Sequence, residues 1–216
     1  KDLVTLQLGH PETHGTCAVL GAGTGLGECI MSWQQDHYEP LPTEGGHVDF
    51  APRNDLQIEL LKYLVAKLGR ASYDTILSGK GLVHIYEFLI ASGNGESSQA
   101  IDNEMQSSDS ASVISYYGIN EIDATAEQTL ELFISIYGAQ AGNLALTAMA
   151  TGGIYIAGGI APKIIERLNS DTFMNAFLDK APMTKVMEKI PVRVIMNENV
   201  GLLGAVEVAI RTMASG

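Results

Sequence analysis

Cysteine is scarce in this chain, whose 216 residues include only Cys17 and Cys29. A small secreted domain held together by disulfide bonds needs more cysteines, and so does a zinc site built from thiolates alone. So few cysteines are typical of a protein in a reducing compartment. The sequence therefore predicts a cytoplasmic protein.

Long apolar runs are also missing. None approaches the roughly 20 residues that a helix needs to cross a bilayer. The longest candidate, 130–150, is interrupted by Gln140, Gly142 and Asn143. No positively charged and then apolar leader opens the chain, so we expect neither a signal peptide nor a membrane partner.

Positive charge is in short supply, because 25 acidic residues face 13 basic ones and the net charge is -12. Such a balance disfavours non-specific binding to nucleic acid. The five histidines are scattered and none has a partner at HxxxH spacing, so no metal site is predicted. Apolar residues make up 46% of the chain, which is enough for a substantial core.

The pattern along the chain begins with strands. Three early segments have the composition of strands and end in glycine or proline-rich turns: THGTCAVLGAG, LGECIMSWQQ and YEPLPTE. With a tight turn at 21–25, these segments predict a three-stranded antiparallel meander.

Helices and strands then alternate. Apolar residues at helical spacing predict helices over 54–68, 81–91 and 124–150. GGIYIAGG and PVRVIM predict buried strands, with two short helices between them and a closing helix at LLGAVEVAIRTMA. The expected fold is α/β, with a mixed sheet that joins the antiparallel meander to parallel strands and is flanked by helices.

The whole chain, 1–216, is predicted to form one domain. Residues 92–112 are rich in serine, asparagine and acidic residues. Since helical patterns resume on both sides, we expect this segment to be an exposed, mobile excursion rather than a domain boundary.

Three junctions rich in glycine and other small residues are candidates for a nucleotide cleft: GAGTGLG at 21–27, TILSGKG at 75–81 and IAGGIAPK at 156–163. Small residues let backbone N–H groups approach a phosphate closely, and Thr24 adds a hydroxyl. Taken alone, 21–27 is explained slightly better by a glycine-rich hairpin, and 156–163 is also compatible with a common close helix–strand packing turn. Three of them in one chain favour the cleft.

EGGHVDF, residues 44–50, is a further feature. Two glycines between Glu44 and His47 indicate a bend in the backbone that presents both side chains together.

Taken in order, GAGTGLG, EGGHVDFAP, LSGKGL, GNLAL, GGIYIAGGIAPK and NVGLLGA resemble the bacterial glucokinases of the type outside the repressor-related sugar kinases. The resemblance covers nearly the whole chain. It implies a ribonuclease H-like, actin-like ATPase fold. It also implies phosphorylation of glucose at the 6-hydroxyl, with ATP and Mg²⁺ as cofactors.

The resemblance assigns the sugar site to Glu44 and His47, which match residues that bind glucose hydroxyls in the family. A carboxylate accepts hydrogen bonds from two adjacent hydroxyls, and imidazole donates or accepts. A third carboxylate, usually glutamate, precedes the family's LSG motif, and here it is Asp74, one methylene shorter. Asp49 matches no sugar contact and is expected to be structural.

The nucleotide site follows from the same resemblance. It is assigned to the residues that match the phosphate loop and the adenosine motif: Gly23, Thr24, Gly25, Gly158 and Gly159. Ser78 and Gly79 are expected to line the same cleft.

Two parts of the family pattern are not found in this chain, namely a first phosphate loop of the DxGGTN kind and the Asn-Asp pair whose aspartate is the general base. Residues 1–216 are therefore expected to be the large C-terminal domain, with the small N-terminal domain as its partner and little activity alone. A homodimer is compatible with the resemblance.

Two other functions stay open. A sugar- or nucleotide-sensing regulator would keep the clamp without chemistry, but the repressor-related proteins carry a cysteine-rich zinc motif that Cys17 and Cys29 do not match. An actin-like structural ATPase would have no use for sugar ligands such as Glu44 and His47.

Overall fold

The computed structural model describes residues 2–214, which form a six-stranded mixed sheet in the order β1-β6-β5-β2-β3-β4 with helices packed on it. The strands are β1 (Leu3–Gln7), β2 (Cys17–Ala22), β3 (Leu26–Gln34), β4 (His37–Pro42), β5 (Gly153–Ala157) and β6 (Val192–Ile195). The mixed α/β architecture that the sequence predicts is confirmed.

The antiparallel meander comprises β2, β3 and β4. The β3–β4 hairpin turns at Gln35 and Asp36, both with positive φ, which is the backbone of a tight two-residue turn. Pro40 and Pro42 lie on β4, the edge strand, where a missing N–H does not interrupt a central ladder.

The parallel part of the sheet is built on β2. Strand β5 pairs parallel to β2 and to β6, so three strands end at the same edge of the sheet. Strand β1, which the sequence patterns did not predict, pairs antiparallel to β6 and extends the other edge.

The helices are α1 (Asp55–Leu68), α2 (Tyr73–Ile76), α3 (Gly79–Ala91), α4 (Gln99–Ser107), α5 (Ser110–Ile119), α6 (Ala124–Ala148), α7 (Ile165–Leu168), α8 (Asp171–Leu178), α9 (Thr184–Met187) and α10 (Val200–Ala214). Between β5 and β6 the chain forms three short helices rather than two. Buried residues of α6, including Phe133 and Tyr137, form the centre of the core with Leu20 of β2.

The segment 92–112 corrects an expectation. In place of an irregular excursion it contains α4 and the start of α5, although many of its side chains are exposed as predicted. Ile101 of α4 is fully buried in a small cluster with Tyr86 and Val113. Ile101 and Met105 pack α4 against this cluster, and the polar composition of the rest of the segment concealed the helix.

Helix α10 presents apolar side chains to solvent. Leu202, Leu203, Ile210 and Met213 are each more than half exposed. Within residues 2–214, none of the helices combines the length and the apolar character needed to span a bilayer.

Candidate active site

The turn between β2 and β3 is the predicted phosphate loop, here defined as Gly23–Gly25 and called the phosphate loop below. The Gly23 N–H donates a hydrogen bond to the Gly25 carbonyl across 2.9 Å, which closes the loop. The Gly23 carbonyl in turn accepts from the N–H of Gly79, also at 2.9 Å. The junction before α3 therefore lies directly against the phosphate loop, as the shared-cleft prediction requires.

The glycine pair after β5 reaches the same place. Gly158 has a φ of +86°, and a Cβ there would overlap the carbonyl of Ala22, so glycine permits both the conformation and the close approach. The N–H of Ile160 donates to that carbonyl across 3.2 Å. The carboxyl ends of the parallel strands β2 and β5 thus meet, which is where ligands bind in open α/β sheets.

A cavity of about 850 Å³ opens beside these junctions. Its lining includes Gly23, Thr24, Gly79 and Gly159, together with several residues of α5. The lining residues that matter below are Lys80, Asp109, Ser112, Tyr116 and Lys163. Gly158 and Gly25 are not part of its lining, although both lie in the backbone that shapes it.

The charges in this cavity are of both signs. Hydrogen bonds from the Ser112 hydroxyl and then from the Ser112 N–H lower the pKa of Asp109, and the positive charge of Lys163 adds to the effect. Asp109 is therefore an anion that caps α5. Lys80 lies in the first turn of α3 and has no ion pair among residues 2–214.

The sequence patterns did not indicate these wall residues. Lys80 and Lys163 stand inside the junction motifs LSGKG and IAPK, so the motifs could have drawn attention to them. Asp109 and Ser112 stand in the segment expected to be mobile, where only the Asp-x-x-Ser capping pattern signals a helix start.

The clamp turn, here defined as Glu44–His47, follows β4 and lies on the start of β3. It contains a short 3₁₀ helix, Gly45–His47, and a Cβ at Gly46 would overlap the carbonyl of Leu26. The side chains of Glu44 and His47 are 90% and 59% exposed, and Oε2 of Glu44 lies 3.9 Å from Nε2 of His47. Two polar side chains are thus presented side by side, as the EGGH motif predicts.

An exposed ion pair braces the clamp turn. Arg70 donates to Oδ1 of Asp49 from Nε at 2.9 Å and from Nη2 at 2.7 Å. The same Nη2 donates to the carbonyl of His47 across 2.8 Å. Asp49 therefore has the structural place that we expected, and Arg70 is a bracing residue that the sequence did not reveal.

Asp74 lies between the two candidate sites. Its Oδ1 accepts a hydrogen bond from the N–H of Leu26 across 2.7 Å, immediately after the phosphate loop. Its neighbour Tyr73 donates from the backbone to the carbonyl of Val48, next to the clamp turn, across 3.2 Å. The carboxylate therefore contacts the phosphate-loop strand, while Oδ2 makes no hydrogen bond among the described residues.

No group of three histidine, cysteine, aspartate or glutamate side chains that could hold a metal occurs within residues 2–214.

Comparison with known proteins decides the family. The family model for glucokinase matches residues 1–212. The chain belongs to the glucokinase family. It is 43% identical to a glucokinase of Trichormus variabilis over 98% of this chain and 66% of the relative. It is 44% identical to a glucokinase of Synechocystis over 95% of this chain and 62% of the relative. The chain thus spans slightly less than two thirds of these curated relatives.

Solved glucokinases have the same architecture. The glucokinase of an Antarctic psychrotroph superposes with a TM-score of 0.81 and 29% identity, covering 95% of this chain and 61% of that one. A glucokinase of the ROK family from Streptomyces griseus was solved in complex with glucose and AMPPNP. It superposes with a TM-score of 0.62 at 18% identity, covering 91% of this chain and 61% of that one. The actin-like ATPase fold that the resemblance implied is confirmed.

The glucokinase-family chain therefore brings its predicted site residues into one region. The nucleotide candidates converge at the ends of β2 and β5, and Ser78 caps α3 beside them. Glu44 and His47 share one turn, in which Gly46 packs against the Leu26 carbonyl, while the N–H of Leu26 donates to Asp74. Leu26 is the point at which the clamp turn and the phosphate-loop strand meet.

Proposed function

We propose that the complete protein transfers the γ-phosphoryl group of ATP to the 6-hydroxyl of glucose in the cytoplasm. The observation that carries the proposal is the junction at Leu26, where a sugar-clamp turn and a phosphate-loop strand come together in a chain of the glucokinase family. The relatives named above are glucokinases, and the Streptomyces griseus structure contains glucose and AMPPNP.

Glucose recognition is assigned to the clamp turn. The Glu44 carboxylate accepts hydrogen bonds from neighbouring hydroxyls, and His47 donates or accepts one beside it. Their exposed side chains leave both groups open to a ligand. Asp74 holds Leu26 with Oδ1 and offers Oδ2 to a sugar hydroxyl. A single carboxylate then contacts both substrates' subsites.

The nucleotide is assigned to the larger cavity. The Gly23 N–H is used by the Gly25 carbonyl within the loop, so the N–H groups of Thr24 and Gly25 are assigned to the phosphates, and Gly158 and Gly159 are assigned to the adenosine, which can lie against their backbone. Lys80 and Lys163 supply positive charge to the same cavity. ATP arrives with Mg²⁺ bound to its phosphates, and this charge neutralisation assists the transfer.

The transfer itself depends mainly on position. The 6-oxygen must approach the γ-phosphorus in line, and holding both reactants in one cleft supplies much of the rate. The residues described here bind and orient. The general base that accepts the proton of the 6-hydroxyl is assigned to the small N-terminal domain that the family resemblance implies, within the third or more of the relatives' length that this chain does not cover.

That N-terminal portion is also the proposed occupant of the α10 surface. Leu202, Leu203, Ile210 and Met213 of this helix are exposed to solvent. Together they form an apolar surface that a packed partner would cover. Residues 1–216 alone are expected to be at least ~10²-fold less active than the complete protein, because the proposed general base lies outside them. Equal rates would contradict this arrangement.

A second copy of the chain is the other candidate occupant of the α10 surface. A mass measurement in solution distinguishes a dimer of the complete protein from a monomer.

The proposal is tested with Glu44→Ala in the complete gene product. Glucose-dependent ADP release should fall by about two orders of magnitude or more through a raised glucose KM, since a clamp carboxylate makes charge-assisted hydrogen bonds. Glu59→Ala, at an exposed carboxylate on α1, is the control. Glucose binding without any ADP release in the unsubstituted protein would instead support a sugar sensor.

A further inference from the structure

Glu28 on β3 holds the clamp turn through its main chain. The Thr43 hydroxyl donates to the Glu28 carbonyl across 3.0 Å and accepts from the N–H of Gly45 across 3.2 Å. The entry to the clamp turn is therefore tied to one residue of the neighbouring strand. None of the family motifs noted above includes Glu28.

The side chain of Glu28 also packs against the clamp turn, at Gly45. A Cβ at Gly45 would overlap the Glu28 carboxylate, so Oε2 packs directly against the Cα of Gly45. Glycine at 45 thus makes room for a carboxylate as well as allowing the bend. Glu44 and His47 flank this contact and are themselves exposed, so the position of their backbone decides where their side chains point.

A chain of hydrogen bonds fixes the carboxylate from the other side. Gln140 of α6 is only 4% exposed, and its Nε2 donates to Oε1 of Glu28 across 2.8 Å. Asn143 donates to Oε1 of Gln140 at 3.0 Å and to the Tyr73 hydroxyl at 3.1 Å. Lys180 donates to Oδ1 of Asn143 across 2.7 Å. The carboxylate is therefore anchored to the longest buried helix of the core.

Glu28 is half-buried, whereas Glu44 of the clamp turn is exposed. Glu28 lines a small cavity of about 310 Å³ behind the clamp turn, together with Gln140 and Asn143. A carboxylate in such a place is costly unless its hydrogen bonds are satisfied. Gln140 satisfies one oxygen, and the other faces Gly45.

We propose that Glu28 is a positioning residue for glucose, which sets the clamp turn by packing under Gly45 while Gln140 fixes its carboxylate. The inference rests on the proposed function and deepens it. Among the described residues the Glu28 carboxylate contacts Gln140 and Gly45 and has no hydrogen bond to the phosphate loop, so the larger effect is expected on glucose and the smaller on ATP. A merely structural residue would instead affect both substrates or the stability alone.

The test compares Glu28→Ala with Glu28→Gln in the complete gene product. Glu28→Ala empties the space under Gly45, and the glucose KM should rise about tenfold, as expected for loss of a buried hydrogen-bonded support. The ATP KM should change less than about twofold. Glu28→Gln keeps the shape and an oxygen that accepts from Gln140, so it should restore most of the glucose KM. Glu59→Ala is the matched control.

Melting temperatures of all variants accompany the kinetics. Equal rises of both KM values, or a glucose KM that stays unchanged in folded Glu28→Ala, would overturn the inference while leaving the proposed function intact. If Glu28→Ala fails to fold, a Glu28→Gln variant combined with Gln140→Leu provides the same comparison, because it removes the anchor and keeps the volume. Absence of both glucose binding and turnover in the unsubstituted protein would overturn the proposed function and this inference together.

Discussion

The backbone N–H of Leu26 donates a hydrogen bond to Oδ1 of Asp74 across 2.7 Å, and the carbonyl of the same Leu26 lies against Gly46 of the clamp turn. One peptide segment therefore contacts both proposed subsites. A shift of the clamp turn on binding glucose has a short route to the phosphate loop, through Leu26 and its neighbour Gly25.

Asp74→Ala should raise the KM for ATP as well as the KM for glucose. The substitution leaves the Leu26 N–H without its acceptor, and a hydrogen bond to a charged group contributes ~1.5–3 kcal/mol. About a tenfold rise in the ATP KM is expected. Asp74→Asn keeps an oxygen acceptor and should show a smaller rise. Separate saturation curves for the two substrates check this, and an ATP KM unaffected by Asp74→Ala would refute the coupling role of Leu26.

Removal of the brace at Arg70 should have a milder effect. Arg70→Ala loses the hydrogen bonds to Asp49 and to the His47 carbonyl, but both side chains are exposed, and exposed ion pairs contribute ~0–1 kcal/mol. The glucose KM should rise no more than about fivefold, with kcat unchanged. Arg70→Lys should recover part of the effect. A change in the ATP KM alone would contradict the bracing role.

The pH dependence of stability tests the burial of Glu28. Burial raises the pKa of Glu28 above its ordinary value of 4.5, and the hydrogen bond from Gln140 partly offsets the rise. The folded protein therefore holds this proton more tightly than the unfolded chain does. The stability that protonated Glu28 contributes is fully present below a pH of 4.5 and is lost as the pH rises through the raised pKa.

Glu28→Gln removes this titration. The free energy of unfolding of the variant, relative to the unsubstituted protein, should therefore increase as the pH rises from about 4.5 towards neutrality. Denaturant unfolding of both proteins over that range measures the difference. A difference that is constant with pH, or that shrinks as the pH rises, would show that Glu28 is not buried as described.

The packing of α6 on α8 gives a prediction about the core. A Cβ at Gly138 would overlap the backbone carbonyl of Phe173, so Gly138→Ala forces the two helices apart and should lower the free energy of unfolding by about 1–3 kcal/mol. Ser135→Ala, at a partly exposed position of the same helix, should stay within about 0.5 kcal/mol. Thermal unfolding compares the variants, and equal stability of the two would contradict the close approach.

Much of the fold could be predicted because its signals are local. Asn54 accepts a hydrogen bond from the Gln57 N–H at the start of α1, and Gly69 ends the helix in the left-handed conformation. Residues next to each boundary therefore determine where the helix begins and ends. Strand β1 could not be predicted in this way. It is a half-exposed edge strand whose partner β6 lies at the far end of the chain.

The candidate site likewise has one part that local motifs predict and another part that they do not. The clamp turn and the glycine junctions carry compact motifs, so the sequence predicted that Glu44 and His47 share a turn and that the glycine junctions lie together. The hydrogen bond from Leu26 to Asp74 and the anchor of Glu28 on Gln140 join residues far apart in sequence. No local pattern encodes such contacts, because they arise only when the sheet and α6 are packed together.

The formation of glucose 6-phosphate by the complete gene product from glucose and Mg-ATP, with the phosphorylated position assigned by phosphorus NMR, tests the central claim most directly. We predict stoichiometric conversion to the 6-phosphate, which Glu44→Ala slows and Glu59→Ala does not. Tight glucose binding with no phosphorylated sugar, or phosphate on a different hydroxyl, would contradict the account.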